Sequence, residues 1–533
     1  MNVSETARQS YGGMVVAPHH LAAEAGRRVL RDGGNAVEAM VAAASTIAVV
    51  YPHMNALGGD GFWLIRPKDG PVVGIAASGP AAKAASSDFY TGQGLTEIPK
   101  RGPLAALTIA GTVSGWAKAL EVSQTKLGGG MALPRLMEDA AFHAENGFPV
   151  PETLARNCAQ KFPELKDQPG FAQHFTDHGA PLTEGRKFSL PALAGTLRRL
   201  GEEGLDSFYR GALARDIAAD LQAAGSPVTL SDLETYSAKV LPPLSINRNG
   251  AVIYNMPPPT QGLASLLLLA IQNQLPKPAP ETFDYVHGLV EATKAAFRVR
   301  DSKVTDPAHM GADPMQLLSE TNIEALAKPI LMDTAAPWPD ASPKGDTVWL
   351  GAVDKDGTAV SFIQSIYWEF GSGVVLPQTG IAWQNRGVSF SLDPAAVNPL
   401  QPGRYPFHTI QPAMAELPDG RVFPYGTMGG EGQPQTQAMV YTRVVDHGMD
   451  LQEAISAPRW LLGRTWGDTT TSLRIENRFD PTVIEALRKA GHAIDPVGPF
   501  EEVMGHAGAL LWHPTGLIEG ASDPRCDGSA AGL

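Results

Sequence analysis

The chain has 533 residues, 43% hydrophobic and 18% charged, with a formal net charge of −13 at pH 7. This composition is typical of a well-packed folded protein, and the length allows two to four domains or one interleaved α/β unit. The acidic balance, with no basic block to offset it, argues against a nucleic-acid partner. Cys158 and Cys526 form neither a metal-type pair nor a disulfide framework. We therefore expect both to be inert, and we expect no metal and no cofactor.

The sequence gives no sign of a membrane partner. Residues 1–10 are polar and lack the apolar stretch of a secretory signal. The most apolar run, residues 266–271, is too short to cross a bilayer. A cytoplasmic location is the expectation.

The first part of the chain predicts a strand, two helices and a glycine-rich loop. Residues 14–16 have a strand pattern, residues 20–30 a helical pattern, and Asn35 is placed to cap a second, buried helix over 36–50. The loop at 58–61 (Gly-Gly-Asp-Gly) precedes a strand and lacks the lysine of a P-loop. A nucleotide site is therefore not expected here.

The middle of the chain predicts mainly helices and carries no chemical motif. Residues 103–240 have this character, and they are followed by a strand over 251–255 and an apolar helix over 263–274. A rigid Pro-Pro-Pro connector separates the last two elements.

A long helix and a linker complete this half of the chain. Within the helix, predicted over 283–300, Glu291, Lys294 and Arg298 have the spacing of surface ion pairs. From 328 to 344 the composition shifts to Pro, Asp, Ala and Ser, which is typical of a linker that a protease or the chain itself can cut.

The linker leads to Thr347, at the start of a predicted hairpin whose turn, 354–357, carries an Asp-Gly signal. If the Asp346–Thr347 bond were cut, the Thr347 hydroxyl would be a nucleophile. Its freed α-amine, with a pKa near ~8, would be the base. Considered alone, the segment also fits an ordinary β-branched residue at a strand edge.

Beyond the hairpin, short alternating segments and turns predict a β-rich block. The expected strands cover 360–368, 380–383, 414–416, 422–426 and 509–512, and the expected helices cover 434–446 and 481–490. Helices followed by a β-rich block suit two packed sheets with helices outside, a four-layer αββα arrangement of the α/β class.

A second glycine-rich turn, residues 426–432, precedes one of these helices. Backbone N–H groups of such a turn can converge on one point, as an oxyanion hole requires. A loop with unusual φ angles is the simpler interpretation of the turn by itself.

Several stretches together resemble the γ-glutamyltransferase family of N-terminal-nucleophile hydrolases, in the family's order and along nearly the whole chain. They are residues 14–17, 33–39, 58–62, 256–259, 346–347, 353–357, 429–430 and 520–525. The resemblance implies an αββα fold made as a self-cleaving precursor. Cleavage between Asp346 and Thr347 would give a helix-rich large subunit, 1–346, and a small subunit, 347–533. The two would interleave as a heterodimer, with a higher oligomer left open.

The resemblance also implies roles for particular residues. Thr347 would attack the carbonyl of Asp346 and, once freed, the amide of a substrate. The N–H groups of Gly429 and Gly430 would stabilise the oxyanion. Ser365 falls where the family has a threonine that supports the nucleophile, and it keeps the hydroxyl.

The departures from the family concern the substrate head group. The arginine that holds an α-carboxylate is missing from residues 75–83, and the aspartate that pairs with the α-ammonium falls at Ser389. The neighbouring asparagine falls at Tyr367, and a serine pair at His408 and Thr409. Removing one partner of a buried ion pair typically costs ~3–5 kcal/mol, so useful γ-glutamyl recognition is not expected.

Arg386 lies about where the family contacts the head group, so its guanidinium is expected to hold a carboxylate; a surface arginine is the alternative. Nearby aromatic residues suggest a small pocket: Trp63, Tyr367, Trp368, Phe370 and Trp383. These features resemble the branch of the family that hydrolyses oxamate. The predicted function is therefore an amidohydrolase for a small carboxylate-bearing amide, with oxamate, which gives oxalate and ammonia, as the expected substrate. The alternatives are a γ-glutamyl or glutaryl amide hydrolase or transferase, and an unprocessed binding scaffold.

Overall fold

The computed structural model describes residues 6–338, 346–463 and 471–533. The end of the predicted linker, 339–345, lies outside the described residues. Two large sheets lie at the centre of the fold, and helices cover both outer faces.

The strands of the described residues follow in chain order. The first eleven are β1 (Arg8–Ser10), β2 (Gly13–Ala17), β3 (Asp60–Arg66), β4 (Val73–Ala77), β5 (Phe148–Pro149), β6 (Thr176–Asp177), β7 (Ala180–Pro181), β8 (Lys187–Phe188), β9 (Lys239–Leu241), β10 (Leu244–Arg248) and β11 (Ala251–Asn255). The others are β12 (Asp346–Asp354), β13 (Ala359–Tyr367), β14 (Ala413–Glu416), β15 (Val422–Thr427), β16 (Trp460–Leu462), β17 (Leu473–Glu476), β18 (Ile494–Val497), β19 (Ala507–Trp512), β20 (Ile518–Ser522) and β21 (Ser529–Gly532).

The α-helices of the described residues are likewise numbered along the chain. The first nine are α1 (His20–Arg31), α2 (Ala36–Val50), α3 (Ser87–Thr91), α4 (Thr112–Lys126), α5 (Leu133–Asn146), α6 (Glu152–Leu165), α7 (Phe171–His174), α8 (Pro191–Glu203) and α9 (Ala212–Ala224). The others are α10 (Leu230–Thr235), α11 (Gly262–Gln272), α12 (Phe283–Lys303), α13 (Pro314–Leu317), α14 (Glu320–Ala327), α15 (Gly432–Tyr441), α16 (Leu451–Ser456) and α17 (Pro481–Lys489). Among the described residues, no helix combines the length and apolarity needed to cross a membrane.

Each central sheet has seven strands, and all neighbours within it are antiparallel. The first sheet has the order β21-β2-β12-β13-β3-β4-β9, and the second has the order β1-β20-β19-β15-β14-β11-β10. Helices α1, α2, α4, α5 and α8 cover the first sheet, and α11, α12, α15, α16 and α17 cover the second. A third apolar cluster, which includes Met14, Phe62 and Trp349, fills the space between the sheets. The predicted four-layer αββα sandwich is confirmed.

The hairpin that carries Thr347 is formed by β12 and β13, as predicted. One oxygen of Asp354 accepts from the N–H groups of Asp356 and Thr358 at 3.1 and 3.0 Å. The other accepts from the N–H of Ala36, the first residue of α2, at 3.0 Å. Gly357 closes the turn with φ +86°, a conformation that glycine adopts without strain. The hairpin is thereby fixed to a buried helix.

Alternation along β12 determines which residues face the second sheet. Val348 and Leu350 pack towards the helices, whereas Trp349 packs between the sheets. The second sheet approaches Trp349 so closely that a Cβ on Gly426 would lie 2.1 Å from the indole. Thr347 has the same parity as Trp349 and lies in the interior of the sandwich, fully buried.

Most predicted elements are present within a few residues of their expected bounds, but two expectations were wrong or incomplete. The strand expected over 380–383 is absent, because this segment forms only isolated bridges, Ala382 with Val375 and Trp383 with Gly58. The helix expected over 434–446 is α15, which continues as a π-helical turn at Thr442–Asp446.

The surface ion pairs expected on α12 were wrong for Glu291 and Lys294. The Lys294 ammonium lies 2.6 Å from Glu291, but both side chains are buried, at 3% exposure or less. The segment before the linker covers them: Lys294 donates to the Ala336 carbonyl at 2.7 Å, and Glu291 accepts from the Ala336 N–H at 3.1 Å. Arg298 is exposed and donates to the carbonyl of Pro337.

Candidate active site

Thr347, Ser365 and Asp60 lie on three adjacent strands of the first sheet. Ser365 pairs directly with Asp60 across β13 and β3. Between β12 and β13 the register shifts, so Thr347 lies opposite a bulge formed by residues 365 and 366. All three side chains are fully buried. The candidate nucleophile and its predicted support are therefore neighbours.

The predicted oxyanion turn reaches Thr347 from the second sheet. In that turn, Gly429 and Gly430 have φ of +114° and +52°, which favours glycine at both positions. Neither of their N–H groups donates a hydrogen bond to a described residue. Gln433, one turn further, bonds through its N–H to the Gly430 carbonyl at 3.3 Å and through Nε2 to Oγ1 of Thr347 at 3.4 Å. The turn thus offers two backbone donors beside the threonine.

Gln261 ties this turn to the segment that carries His408 and Thr409. Its Nε2 donates to the carbonyls of Gly430 and Thr409, at 2.7 and 2.5 Å. Its Oε1 accepts from Arg300 at 3.0 Å. The two segments are consequently held in a fixed relation on the second sheet.

Arg386 is fully buried, so the alternative of a surface arginine was wrong. It begins a 3₁₀ turn, Arg386–Ser389. Its Nη2 lies 3.3 Å from the hydroxyl of Ser365 and its Nη1 lies 3.4 Å from that of Thr409. The guanidinium stacks 4.1 Å from the centre of the Tyr367 ring.

No described acidic residue forms an ion pair with Arg386. Burial lowers its pKa to about 10, and the interactions with Tyr367 and Asp60 oppose the shift. A buried guanidinium without a counter-charge is unfavourable by several kcal/mol, roughly, so the position is suited to an anion.

Tyr367 supports this arrangement through a strained backbone. Its φ is +81°, which is unusual for a residue other than glycine and costs about 1–3 kcal/mol. Its N–H donates to Oγ of Ser365 at 2.8 Å. In this conformation the phenol ring lies over the Arg386 guanidinium.

Asp60 and His408 lie next to this group. One oxygen of Asp60 accepts from the N–H groups of Gly79 and Gly111, each at 3.1 Å. Among the described residues, the other oxygen makes no hydrogen bond, and neither ring nitrogen of His408 has a partner. That oxygen lies 3.8 Å from Nε2 of His408. Burial raises the pKa of Asp60 to about 7, and burial lowers the pKa of His408 well below its usual value.

The structure brings most of the predicted residues together and separates a few. Ser365, Tyr367 and Thr409 contact Arg386 directly. Ser389 ends the turn that begins at Arg386, and its buried hydroxyl has no hydrogen-bond partner among the described residues. Trp368 stacks on Tyr367, with ring centres 5.8 Å apart. The other aromatic residues of the expected pocket belong to the helix-side core instead: Trp63, Phe370 and Trp383.

Sequence reasoning missed three polar residues of the site: Asp60, Gln261 and Gln433. Asp60 was noted only as part of a glycine-rich loop. An acid placed between glycines and immediately before a buried strand was the available signal, because such an acid must be enclosed on folding. The two glutamines have no local signal, since their partners come from distant parts of the chain.

One group of described residues has the spacing of a metal site. Ligand atoms of His287, Glu291 and His492 lie within 4.8 Å of one another. They are already used in hydrogen bonds, however: His287 to His492 at 2.8 Å, and Glu291 to Lys294 at 2.6 Å. The group is best described as a polar network beneath the segment that precedes the linker.

The fold and the site together define a class of protein. A four-layer αββα sandwich, with a buried threonine at the start of a central strand and an open glycine turn beside it, is the arrangement of the N-terminal-nucleophile hydrolases. These enzymes act on C–N bonds of amides.

Comparison with known proteins identifies the family. The family model for gamma-glutamyltranspeptidase matches residues 22–533. The oxamate amidohydrolase proenzyme of Klebsiella pneumoniae is 53% identical over 520 residues, covering 98% of each chain. A glutathione hydrolase-like proenzyme of Bacillus subtilis is 41% identical, again over 98% of each chain. The crystal structure of cephalosporin acylase from Bacillus halodurans superposes with a TM-score of 0.92 at 34% identity, covering 100% of this chain and 98% of that one. The chain belongs to the gamma-glutamyltranspeptidase family.

Proposed function

We propose that the chain cuts itself between Asp346 and Thr347 and then hydrolyses a small, carboxylate-bearing amide, oxamate being the expected substrate. The observation that carries this proposal is the position of Arg386. Its guanidinium is buried, has no ion-pair partner among the described residues, and contacts Ser365 on the strand next to Thr347. Oxamate is also the substrate named for the 53% identical relative.

In the processing step, the Thr347 hydroxyl attacks the carbonyl carbon of Asp346 and displaces the Thr347 nitrogen. The resulting ester is hydrolysed by water, which gives a carboxylate on Asp346 and a free amine on Thr347. The products are a large subunit, 1–346, and a small subunit, 347–533. The position of β12 between β2 and β13 supports their lasting association as a heterodimer, because the new small chain begins inside a sheet built from both.

In the catalytic step, the free α-amine of Thr347 takes the hydroxyl proton as the oxygen attacks the amide carbon. The N–H groups of Gly429 and Gly430 stabilise the oxyanion, a contribution of the order of 3–4 kcal/mol per donor in other hydrolases. Ser365, on the adjacent strand, supports the nucleophile. The protonated amine then gives its proton to the leaving nitrogen, and ammonia departs.

The substrate is oriented through its carboxylate. Arg386 holds that group, with the hydroxyl of Thr409 and the ring of Tyr367 on either side of the guanidinium. Ser389 and His408 remain substrate-binding candidates at the margins of the same group. Water resolves the oxalyl ester on Thr347, releasing oxalate and regenerating the hydroxyl. No cofactor is needed for any of these steps.

Ammonia release from oxamate by the purified, processed enzyme tests the proposal, with Thr347→Ala as the inactive control. We expect turnover by the wild type and none by the variant. Turnover by an unprocessed Thr347→Ala chain would contradict it.

A hydrolase or transferase of γ-glutamyl or glutaryl amides is the second candidate. The 41% identical relative is named as glutathione hydrolase-like, which favours it. The buried Arg386 guanidinium disfavours it, because an α-ammonium group bound beside Arg386 would meet a like charge. Rapid release of glutamate from glutathione would favour this candidate over oxamate hydrolysis.

We also propose that the protein works in the cytoplasm. Both cysteines are free, Cys158 buried and Cys526 partly so, as is usual in a reducing compartment.

A further inference from the structure

Among the described residues, three buried polar groups near Thr347 have atoms without a hydrogen-bond partner. They are Oδ2 of Asp60, both ring nitrogens of His408, and Nε of Arg386. Buried polar atoms are normally bonded, so three together indicate a place that a ligand completes.

The strand register and the contacts of Arg386 indicate that Asp60, His408 and Arg386 lie close together. Ser365, which Arg386 contacts at 3.3 Å, is the cross-strand partner of Asp60. Thr409, which Arg386 contacts at 3.4 Å, directly follows His408. Oδ2 of Asp60 and Nε2 of His408 are 3.8 Å apart, too far for a good hydrogen bond between them. Arg386 therefore contacts the neighbour of Asp60, which is Ser365, and the neighbour of His408, which is Thr409.

The two oxygens of Asp60 have different environments. Oδ1 accepts two backbone N–H bonds, from Gly79 and Gly111, which fixes the carboxyl group in place. Among the described residues, no donor makes a hydrogen bond to Oδ2, so Oδ2 is the oxygen that can carry a proton. The phenyl ring of Phe62, two residues along β3, holds the His408 imidazole from the other side, with ring centres 5.2 Å apart.

We propose that Asp60, in its protonated form, and neutral His408 donate hydrogen bonds to the substrate carboxylate and thereby complete the anion subsite of which Arg386 is the charged part. This inference rests on the proposed function and adds the groups that select a short, anionic amide. An ionised Asp60 would repel the same carboxylate, so protonation of one residue decides whether the substrate binds.

The surroundings of Asp60 shift the pKa of its carboxyl group towards neutral pH. Burial raises the pKa of Asp60 to about 7 even though Arg386, the two N–H bonds and the Gln384 side chain act in the opposite direction. The other titratable groups that face it are His408, which burial keeps neutral, and the phenols of Tyr209 and Tyr236, whose own pKa values are raised by burial. A bound carboxylate favours the protonated form further.

The test compares oxamate with oxamide, its neutral analogue of the same size, on the processed enzyme. Above pH 7 the KM for oxamate should rise, by about tenfold up to pH 8.5, as Asp60 loses its proton. The KM for oxamide should not follow this change. Asp60→Asn, which keeps a donor and cannot ionise, should give a KM for oxamate that is independent of pH. His408→Ala should raise the KM for oxamate about tenfold more than that for oxamide.

Calorimetry of oxamate binding to the wild-type enzyme, in buffers of different ionisation enthalpy, gives a second readout that needs no variant. We expect uptake of roughly three quarters of a proton per oxamate at pH 7.5, which is the ionised fraction of Asp60 in the free enzyme at a pKa of about 7. Binding without proton uptake would overturn the inference, as would an Asp60→Asn enzyme that keeps the wild-type pH dependence of KM. If oxamate binds with proton uptake and releases no ammonia, the proposed reaction fails and this subsite stands.

Discussion

Nε2 of Gln433 lies 3.4 Å from the hydroxyl oxygen of Thr347. This contact joins the first turn of α15, on the second sheet, to the start of β12, on the first. Oε1 of Gln433 accepts in turn from the N–H of Gln411 at 3.2 Å, so the amide orientation is fixed. Gln433 is therefore positioned to orient the threonine hydroxyl.

Gln433→Met should slow both self-cleavage and turnover by about tenfold, because it removes one hydrogen bond, worth about 1–1.5 kcal/mol, without changing the packing volume greatly. The rate of appearance of the small subunit and kcat for oxamate measure the two effects. Gln435→Met is the matched control, since Gln435 bonds to Leu462 and Glu431, away from Thr347. Equal effects of the two variants would contradict a role for Gln433.

Arg386→Met should lower kcat/KM for oxamate by about a hundredfold, the loss of a charge-assisted contact worth about 2–3 kcal/mol. The value for oxamide should change by less than about threefold, because that amide has no carboxylate to hold. Steady-state ammonia release from both amides gives the comparison. Arg386→Lys keeps the charge and loses the planar fork, so its kcat/KM for oxamate should lie between the values of the wild type and Arg386→Met. Equal losses on oxamate and oxamide would remove Arg386 from the substrate site.

Lys294→Met should destabilise the fold by about 3–5 kcal/mol, because it leaves Glu291 buried and charged without its partner. The double variant Glu291→Leu with Lys294→Met should recover most of that loss, since it leaves no buried charge. Urea unfolding of the wild type, the single variant and the double variant measures the difference. A single variant as stable as the wild type would show that the pair is solvated, as the helical spacing alone suggested.

Acidification should destabilise the protein between pH 7 and 5. Burial lowers the pKa of six histidines: to about 3 for His19, His492 and His506, well below the usual value for His53 and His408, and below it for His143. The unfolded chain takes up protons below about pH 6.5 that the folded protein cannot hold, so folding loses up to ~1.4 kcal/mol per pH unit for each histidine.

Four carboxyl groups act in the opposite direction. Burial raises the pKa of Asp60 and Glu502 to about 7, so the folded protein holds protons there that the unfolded chain releases down to about pH 4. Burial also raises the pKa of Asp354 and Asp527. Six histidines against these four carboxyl groups leave a net loss of stability on acidification. Calorimetric melting at pH 7 and pH 5.5 checks the sign, and a Tm that rises at the lower pH would contradict it.

Local chemistry explains what the sequence predicted correctly. The hairpin turn depends on Asp354 and Gly357, and the start of α2 depends on Asn35, whose side chain accepts from Val37 and Glu38. These interactions span only a few residues, so a short stretch of sequence is enough to determine them. The arrangement of layers followed from the order of helices and strands.

Long-range packing explains what the sequence did not predict. The spacing of Glu291 and Lys294 indicated an ion pair, but its burial depends on Ala336, from outside the helix. Asp60 and His408 meet only because β3 and the segment before β14 face each other across the sandwich. No pattern within either stretch indicates such a meeting. The chemistry of the site therefore became visible only with the register of the strands.

The identity of the N-terminal residue of the small chain tests the central claim most directly. Intact mass and N-terminal sequencing of the purified protein should find two chains, residues 1–346 and 347–533, with Thr347 first in the second. Thr347→Ala should remain a single chain of 56.4 kDa. A full-length, uncut wild-type chain that still releases ammonia from oxamate would contradict the account.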